Sequence, residues 1–190
     1  KKKYIYLPWV KNEGDILLKK LSDDERFNII EFDLIKEEFL NEEGRNTLSI
    51  FVRKSQDKYL NLILSRLTPI RKNIDGFLLT FEWAPIMRTI VKACQILDIP
   101  TILIPHESVF ANEEKYYVDV NAKASIPQTD YVLGWGHLQE RIFKERGLNI
   151  SERFEAVGSP ELDLYPNYSP DLSRQQFCEI YGFDVDKKII

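Results

Sequence analysis

Two carboxylates and an imidazole each follow directly on an apolar run. "GFLLTF" (76–81) leads into Glu82, and "IPTILIP" (99–105) leads into His106 and Glu107. A carboxylate or imidazole within hydrogen-bond reach of a hydroxyl can take its proton, so these residue types suit general-base work on an acceptor alcohol. Each has a plainer reading beside it. Glu82 opens a helical pattern, where an acid complements the helix dipole at any protein surface. His106 could be a hydrogen-bonded structural residue, and Glu107 could tune it only from a loop, since adjacent strand residues point to opposite faces.

A second group is made of small and aromatic residues. Gly134, Trp135, Gly136 and His137 follow the apolar run "DYVLGW" (130–135), and Gly158 and Ser159 follow "RFEAV" (153–157). Glycines at such places permit a tight turn or close approach of a ligand, although the spacing is not that of a phosphate-binding GxGxxG. The sequence holds two histidines, His106 and His137, so a metal site has little to build on and none is expected. The stretch 107–128 carries Glu113, Glu114, Tyr116, Tyr117 and Asp119. Tyrosines and acids suit sugar hydroxyls, but a solvated charge run reads equally from the same letters.

The elements that would position these residues alternate. Strand-like runs cover 3–9, 26–33, 76–81, 99–105, 130–135 and 153–157. Helical patterns cover 11–23, 47–72, 82–98, 136–147 and 174–182, with 34–46 ambiguous. In 82–98, Ile86, Ile90, Ala93 and Leu97 fall on one face and Pro85 sits in the first turn. In 136–147, Leu138 and Ile142 are expected inward and a Glu140/Lys144 pair outward. Ser173 and Gln176 have capping-box spacing, and Gly182 marks that helix's end. Apolar strands separated by helices imply an α/β fold, a parallel sheet with helices on both faces. Ligands of such sheets bind beyond the carboxyl ends of the strands, which gathers Glu82, His106, Gly134 and Gly158 on one rim.

Composition narrows the partners. Among 190 residues, 26 Lys and Arg against 30 Asp and Glu leave a net charge of -4, which argues against a nucleic-acid surface. Two cysteines supply no disulfide framework. No apolar run approaches the roughly 20 residues of a membrane helix. The sequence opens on Lys and closes on "DVDKKII", which reads as a strand beginning, so a fragment of a longer polypeptide is expected.

The run "TDYVLGWGHLQERIFKERG" followed by "RFEAVGSPELD" resembles the end of the N-terminal domain in GT-B glycosyltransferases of bacterial surface polysaccharide synthesis. That family's strand, helix and strand ending in GxPxxD correspond here to Gly158, Ser159, Pro160, Glu161, Leu162 and Asp163. "PHES" resembles the Gln-His-Gly element of capsule Kdo transferases and CDP-glycerol glycerophosphotransferases, with Pro105-His106-Glu107 in its place. The likeness spans 74–190, while 1–73 agree in pattern alone.

The resemblance implies a Rossmann-like, three-layer N-terminal half of a GT-B fold. Residues 1–168 would form the acceptor-side domain, and 169–190 a helix and crossover toward a C-terminal nucleotide-sugar domain. The implied activity moves a sugar from a nucleotide-activated donor to a surface polysaccharide or lipid-linked glycan acceptor. Glu82 and His106 would be catalytic, and Glu107, Gly134, Trp135, Gly136, His137, Gly158 and Ser159 would bind substrate. No cofactor is implied beyond the nucleotide-sugar donor, held mainly by the C-terminal domain, and these 190 residues alone would be inactive. The implied location is cytoplasmic, at the inner face of the membrane, in peripheral association with it or with a polysaccharide assembly complex. Two other readings fit the same pattern: a nucleotide-sugar epimerase of the UDP-N-acetylglucosamine 2-epimerase type, and a non-catalytic carbohydrate-binding module.

Overall fold

A computed structural model describes residues 1–7, 15–32, 42–105, 127–145, 152–167 and 169–188. Among them the strands are β1 (Lys2–Leu7), β2 (Phe27–Glu31), β3 (Gly76–Leu79), β4 (Thr101–Leu103), β5 (Tyr131–Gly134) and β6 (Phe154–Ala156). They form a sheet in the order β2-β1-β3-β4-β5-β6, every neighbouring pair parallel. The α/β alternation expected from the sequence is therefore present. The helices are α1 (Asp15–Asp23), α2 (Glu42–Lys54), α3 (Gln56–Leu67), α4 (Pro85–Ile96), α5 (His137–Glu145) and α6 (Arg174–Tyr181). Short 3-10 stretches run over Arg71–Asn73 and Pro160–Asn167.

Right-handed crossovers place α1 on one face of this sheet and α2 through α5 on the other. Packing agrees: α2, α3 and α4 lie against one another, and α1 meets the Pro160–Asn167 stretch, where Lys20 pairs with Asp163 at 2.6 Å. The main core lies between the sheet and α2–α5. Alternate strand residues, Ile5 and Leu7, Phe77 and Leu79, Leu103 and Val132, face Val52, Tyr59, Ile63, Leu67, Ile86, Ile90 and Phe143. Gly76 to Leu79 are all buried, as a central strand covered on both faces requires.

Three details differ from the sequence pattern. The helix expected over 47–72 is two helices broken at Ser55, whose ψ of 46° departs from helix. The break falls inside the polar run Arg53–Lys58, and it lets Val52 and Tyr59 both reach the core. The next helix starts at Pro85 rather than Glu82, with proline at the first position, where its missing N–H costs nothing. Glu82 is therefore a loop residue. In α5 the inward face is Gln139, Ile142 and Phe143, while Leu138 is exposed. Gln139 displaces Leu138 because its side chain accepts a hydrogen bond from the Trp135 N–H, 2.8 Å away, ahead of the helix.

Candidate functional site at the carboxyl rim of the sheet

The strand order reverses direction between β1 and β3, the place where open α/β sheets leave a crevice for ligands. On the described side of that crevice lie Thr80 to Trp83, after β3. The rim continues through Pro105 after β4, Trp135 and Gly136 after β5, and Val157 to Ser159 after β6. Trp135 ties two of these strand ends together, its indole N–H donating to the Pro105 carbonyl at 2.8 Å. His106, Glu107 and the acids and tyrosines of 107–126 lie outside the described residues.

Glu82 points inward. Its side chain is 0% exposed, and it accepts hydrogen bonds from the backbone N–H of Gln128 at 2.5 Å and of Thr129 at 3.2 Å. Arg88, one turn into α4, reaches the same carboxylate at 3.1 Å and lies over the Trp83 ring at 5.4 Å. Burial raises the Glu82 pKa, opposed by the Arg88 charge and the two amides. Burial lowers that of Arg88, opposed by Glu82.

The stretch that Glu82 holds, Pro127 to Asp130, has no regular ladder, yet all of its backbone polar groups are met. The Gln128 and Thr129 N–H groups go to Glu82, and the Asp130 N–H goes to the Thr101 hydroxyl at 2.9 Å. Gln95 donates to the Gln128 carbonyl at 3.1 Å. Arg153 donates to the carbonyls of Pro127, Thr129 and Asp130. The Asp130 carboxylate in turn accepts from the Thr101 N–H and hydroxyl, both at 2.8 Å. Side chains from four places in the chain thus fix one irregular segment just ahead of β5. No local pattern points to Gln95, Thr101 or Arg153, because they act on backbone groups 24 to 33 residues away.

The other candidates divide. A Cβ at Gly134 would lie 2.1 Å from Phe154 Cζ and 2.6 Å from Gln139 Oε1, so these side chains fill the space over this glycine. A Cβ at Gly136 or Gly158 would meet nothing within 4 Å, so both stand open on the rim. Gly158 has φ +89°, a conformation that favours glycine, and Ser159 after it is buried. The His137 side chain is 90% exposed, with Nδ1 3.0 Å from Glu140, and Glu140 also meets Lys144. Those contacts hold the Glu140 carboxyl below its usual range. Cys94 is buried, which pushes its thiol up to about 12 and removes it as a nucleophile. No cluster of metal-ligating side chains occurs among the described residues. A pocket of about 340 Å³ lined by Gln95, Asp98, Ile99, Pro100, Asp130 and Tyr131 opens at the amino ends of β4 and β5, the rim opposite the crevice.

No family model matches the chain, and no curated protein matches it by sequence. Among solved structures, S. aureus MnaA in a co-structure with UDP matches with a TM-score of 0.63 at 12% identity. The match covers 96% of this chain and 52% of the MnaA chain, so the chain spans about half the length of that structure. The shared feature is the Rossmann-like α/β fold.

Proposed function

We propose that this chain is one half of an enzyme acting on a nucleotide-activated sugar, with its carboxyl rim facing the sugar and acceptor. The observation that carries this reading is the match of nearly the whole chain to a protein solved with UDP, on a sheet whose switch point opens to that rim. In the first reading the reaction is glycosyl transfer to a surface polysaccharide or lipid-linked glycan, at the cytoplasmic face of a membrane. The resemblance of 74–190 to GT-B transferases supports it. His106, three residues past the end of β4 in the sequence, is the base that meets the acceptor hydroxyl. Gly136, His137, Gly158 and Ser159 line the rim. Glu82 acts by holding Gln128, Thr129 and Arg88 in place.

A second reading is isomerisation of the nucleotide sugar without an acceptor. A UDP-bound neighbour of the same fold suits it equally well, because an epimerase also grips the nucleotide.

One assay separates the two. The full-length protein is incubated with labelled UDP-sugars, with and without a membrane glycan fraction. Release of UDP that requires the acceptor supports transfer, and a new sugar isomer without acceptor supports epimerisation. Neither product from any UDP-sugar overturns the proposal. Unchanged turnover in both His106→Ala and Glu82→Ala would remove the site assignment. The 190 residues alone should turn over nothing.

A further inference from the structure

Hydrogen-bond donors without acceptors collect where β5 and β6 leave the sheet. The two strands run parallel with Gly134 opposite Ala156, so Gly136 and Gly158 follow at one level and His137 and Ser159 at the next. The nine-residue α5 starts there, behind the bare backbone of Gly136. The Glu140 N–H donates to the Gly136 carbonyl at 3.2 Å, as the first bond of the helix. Among the described residues, nothing accepts from the N–H groups of Gly136, His137, Leu138 or Gln139.

Every helix leaves such groups at its start, so these alone mark nothing. Two buried side chains add to them. Ser159 is 5% exposed, and none of the described residues bonds to its hydroxyl, which is not sealed from the surface. Gln139 is also buried. Its Oε1 is taken by the Trp135 N–H, while its Nε2 is sealed in without an acceptor. That amide belongs to the first turn itself and adds a donor dipole to the positive end of α5. A buried polar group left unpaired in a folded chain calls for an explanation.

Apart from the hydroxyl, which both donates and accepts, all of the unmet groups are donors. A sugar hydroxyl would answer few of them and brings a donor of its own. An anionic oxygen group accepts several N–H bonds at once and is favoured at a helix N-terminus. The acids near this turn are engaged elsewhere: Glu140 by His137 at 3.0 Å and Lys144 at 3.3 Å, and Asp163 by Lys20 at 2.6 Å. Space is also present, since a Cβ at Gly136 or Gly158 would meet nothing within 4 Å.

We propose that the first turn of α5, with Gly136 ahead of it and Ser159 beside it, binds an anionic oxygen group of the phosphate or carboxylate class. The inference rests on the proposed function in taking that group to be part of a substrate, either the diphosphate of the nucleotide sugar or an acidic group of the acceptor. Its test needs no turnover.

Amide NMR of this chain is followed during titration with inorganic phosphate, UDP, a UDP-sugar and glycerol phosphate at constant ionic strength. Saturable shifts should centre on Gly136 to Gln139 and Ser159. Ser159→Ala should weaken phosphate about ten-fold, as the loss of one hydrogen bond to a charged group, and Ser159→Thr should stay within about three-fold of wild type. Gly136→Leu should abolish the shifts at Ser159 while leaving the amide spectrum of the other strands in place. Tighter binding of UDP and the UDP-sugar than of glycerol phosphate would support the proposal with the donor as source, and the reverse order would support it with the acceptor. Shifts that do not saturate, or that Ser159→Ala and Gly136→Leu leave unchanged, mean an adventitious ion only and overturn the proposal. Turnover of a UDP-sugar by the full-length protein without anion binding here would sink this inference alone. Saturable binding here in a protein that turns over no nucleotide sugar would sink the proposed function and leave the anion site standing.

Discussion

The segment Pro127–Asp130 and the α6 unit break the inside-outside rule in opposite senses. The first buries charge and open backbone, and each of those groups has found a partner in Glu82, Gln95, Thr101 or Arg153. The second leaves Phe177, Ile180 and Tyr181 of one helix partly in water, with Phe177 covered by the Tyr181 and Phe183 rings. Buried polar groups and exposed apolar patches are the two observations that carry information beyond ordinary packing. Among the described residues the polar exception is fully met by partners, and the apolar stripe is covered in part. Charge and open backbone are buried here only where partners meet them, while the apolar stripe of a short helix stays at the surface.

The largest effect should come from breaking the buried side. Glu82→Ala strips acceptors from two buried N–H groups and leaves Arg88 facing Trp83 without its carboxylate. Losing one partner of a buried pair costs about 3–5 kcal/mol, to be read from urea unfolding of the 190-residue chain. A loss under about 1 kcal/mol would mean that the buried network holds nothing.

Protonation probes the same point. Burial raises the folded pKa of Glu82 above its unfolded value, so the folded state keeps that proton longer. The Glu82 contribution is therefore most favourable below the unfolded pKa of 4.5 and declines as pH rises from there through the raised folded value. Glu82→Gln does not titrate. The stability difference, wild type minus Glu82→Gln, should accordingly shrink as pH climbs through that window and stay level above it.

Gly134→Ala comes next, since its methyl group would clash with the edge of the Phe154 ring, 2.1 Å from Cζ; overpacking of that kind costs about 1–3 kcal/mol. Gly136→Ala, facing open space two residues on, should cost under about 1 kcal/mol and serves as the paired control. The smallest effect belongs to the exposed side. Ser173→Ala removes the capping box and about 1 kcal/mol of α6 helix stability, lowering helical circular dichroism slightly. Because α6 does not join the main core, the global unfolding midpoint should hardly move.

Much of the architecture could be read from the letters, because continuous apolar runs between helical patterns admit few arrangements other than a parallel sheet. The capping box at Ser173 was equally legible, as its chemistry is local. The break at Ser55 was not, since the apolar spacings on either side fit one helix or two. Gln139 replaced Leu138 on the inner face of α5 for a reason that needs Trp135 in three dimensions. The role of Gly134 depends on Phe154, twenty residues away, and the anchoring by Arg153 depends on carbonyls in another strand's approach. Glu82 was legible as a residue beyond a strand end. Where its carboxylate turns was not, because the partners that draw it inward are peptide N–H groups, and every residue but proline has one.

The contrast between the two regions is tested most directly by residue-resolved hydrogen exchange on the 190-residue chain. The amides of Gln128, Thr129 and Asp130 should exchange only with global unfolding, and those of α6 at least about 100-fold faster. Equal protection across both regions, or fast exchange at Gln128 and Thr129, would contradict the account.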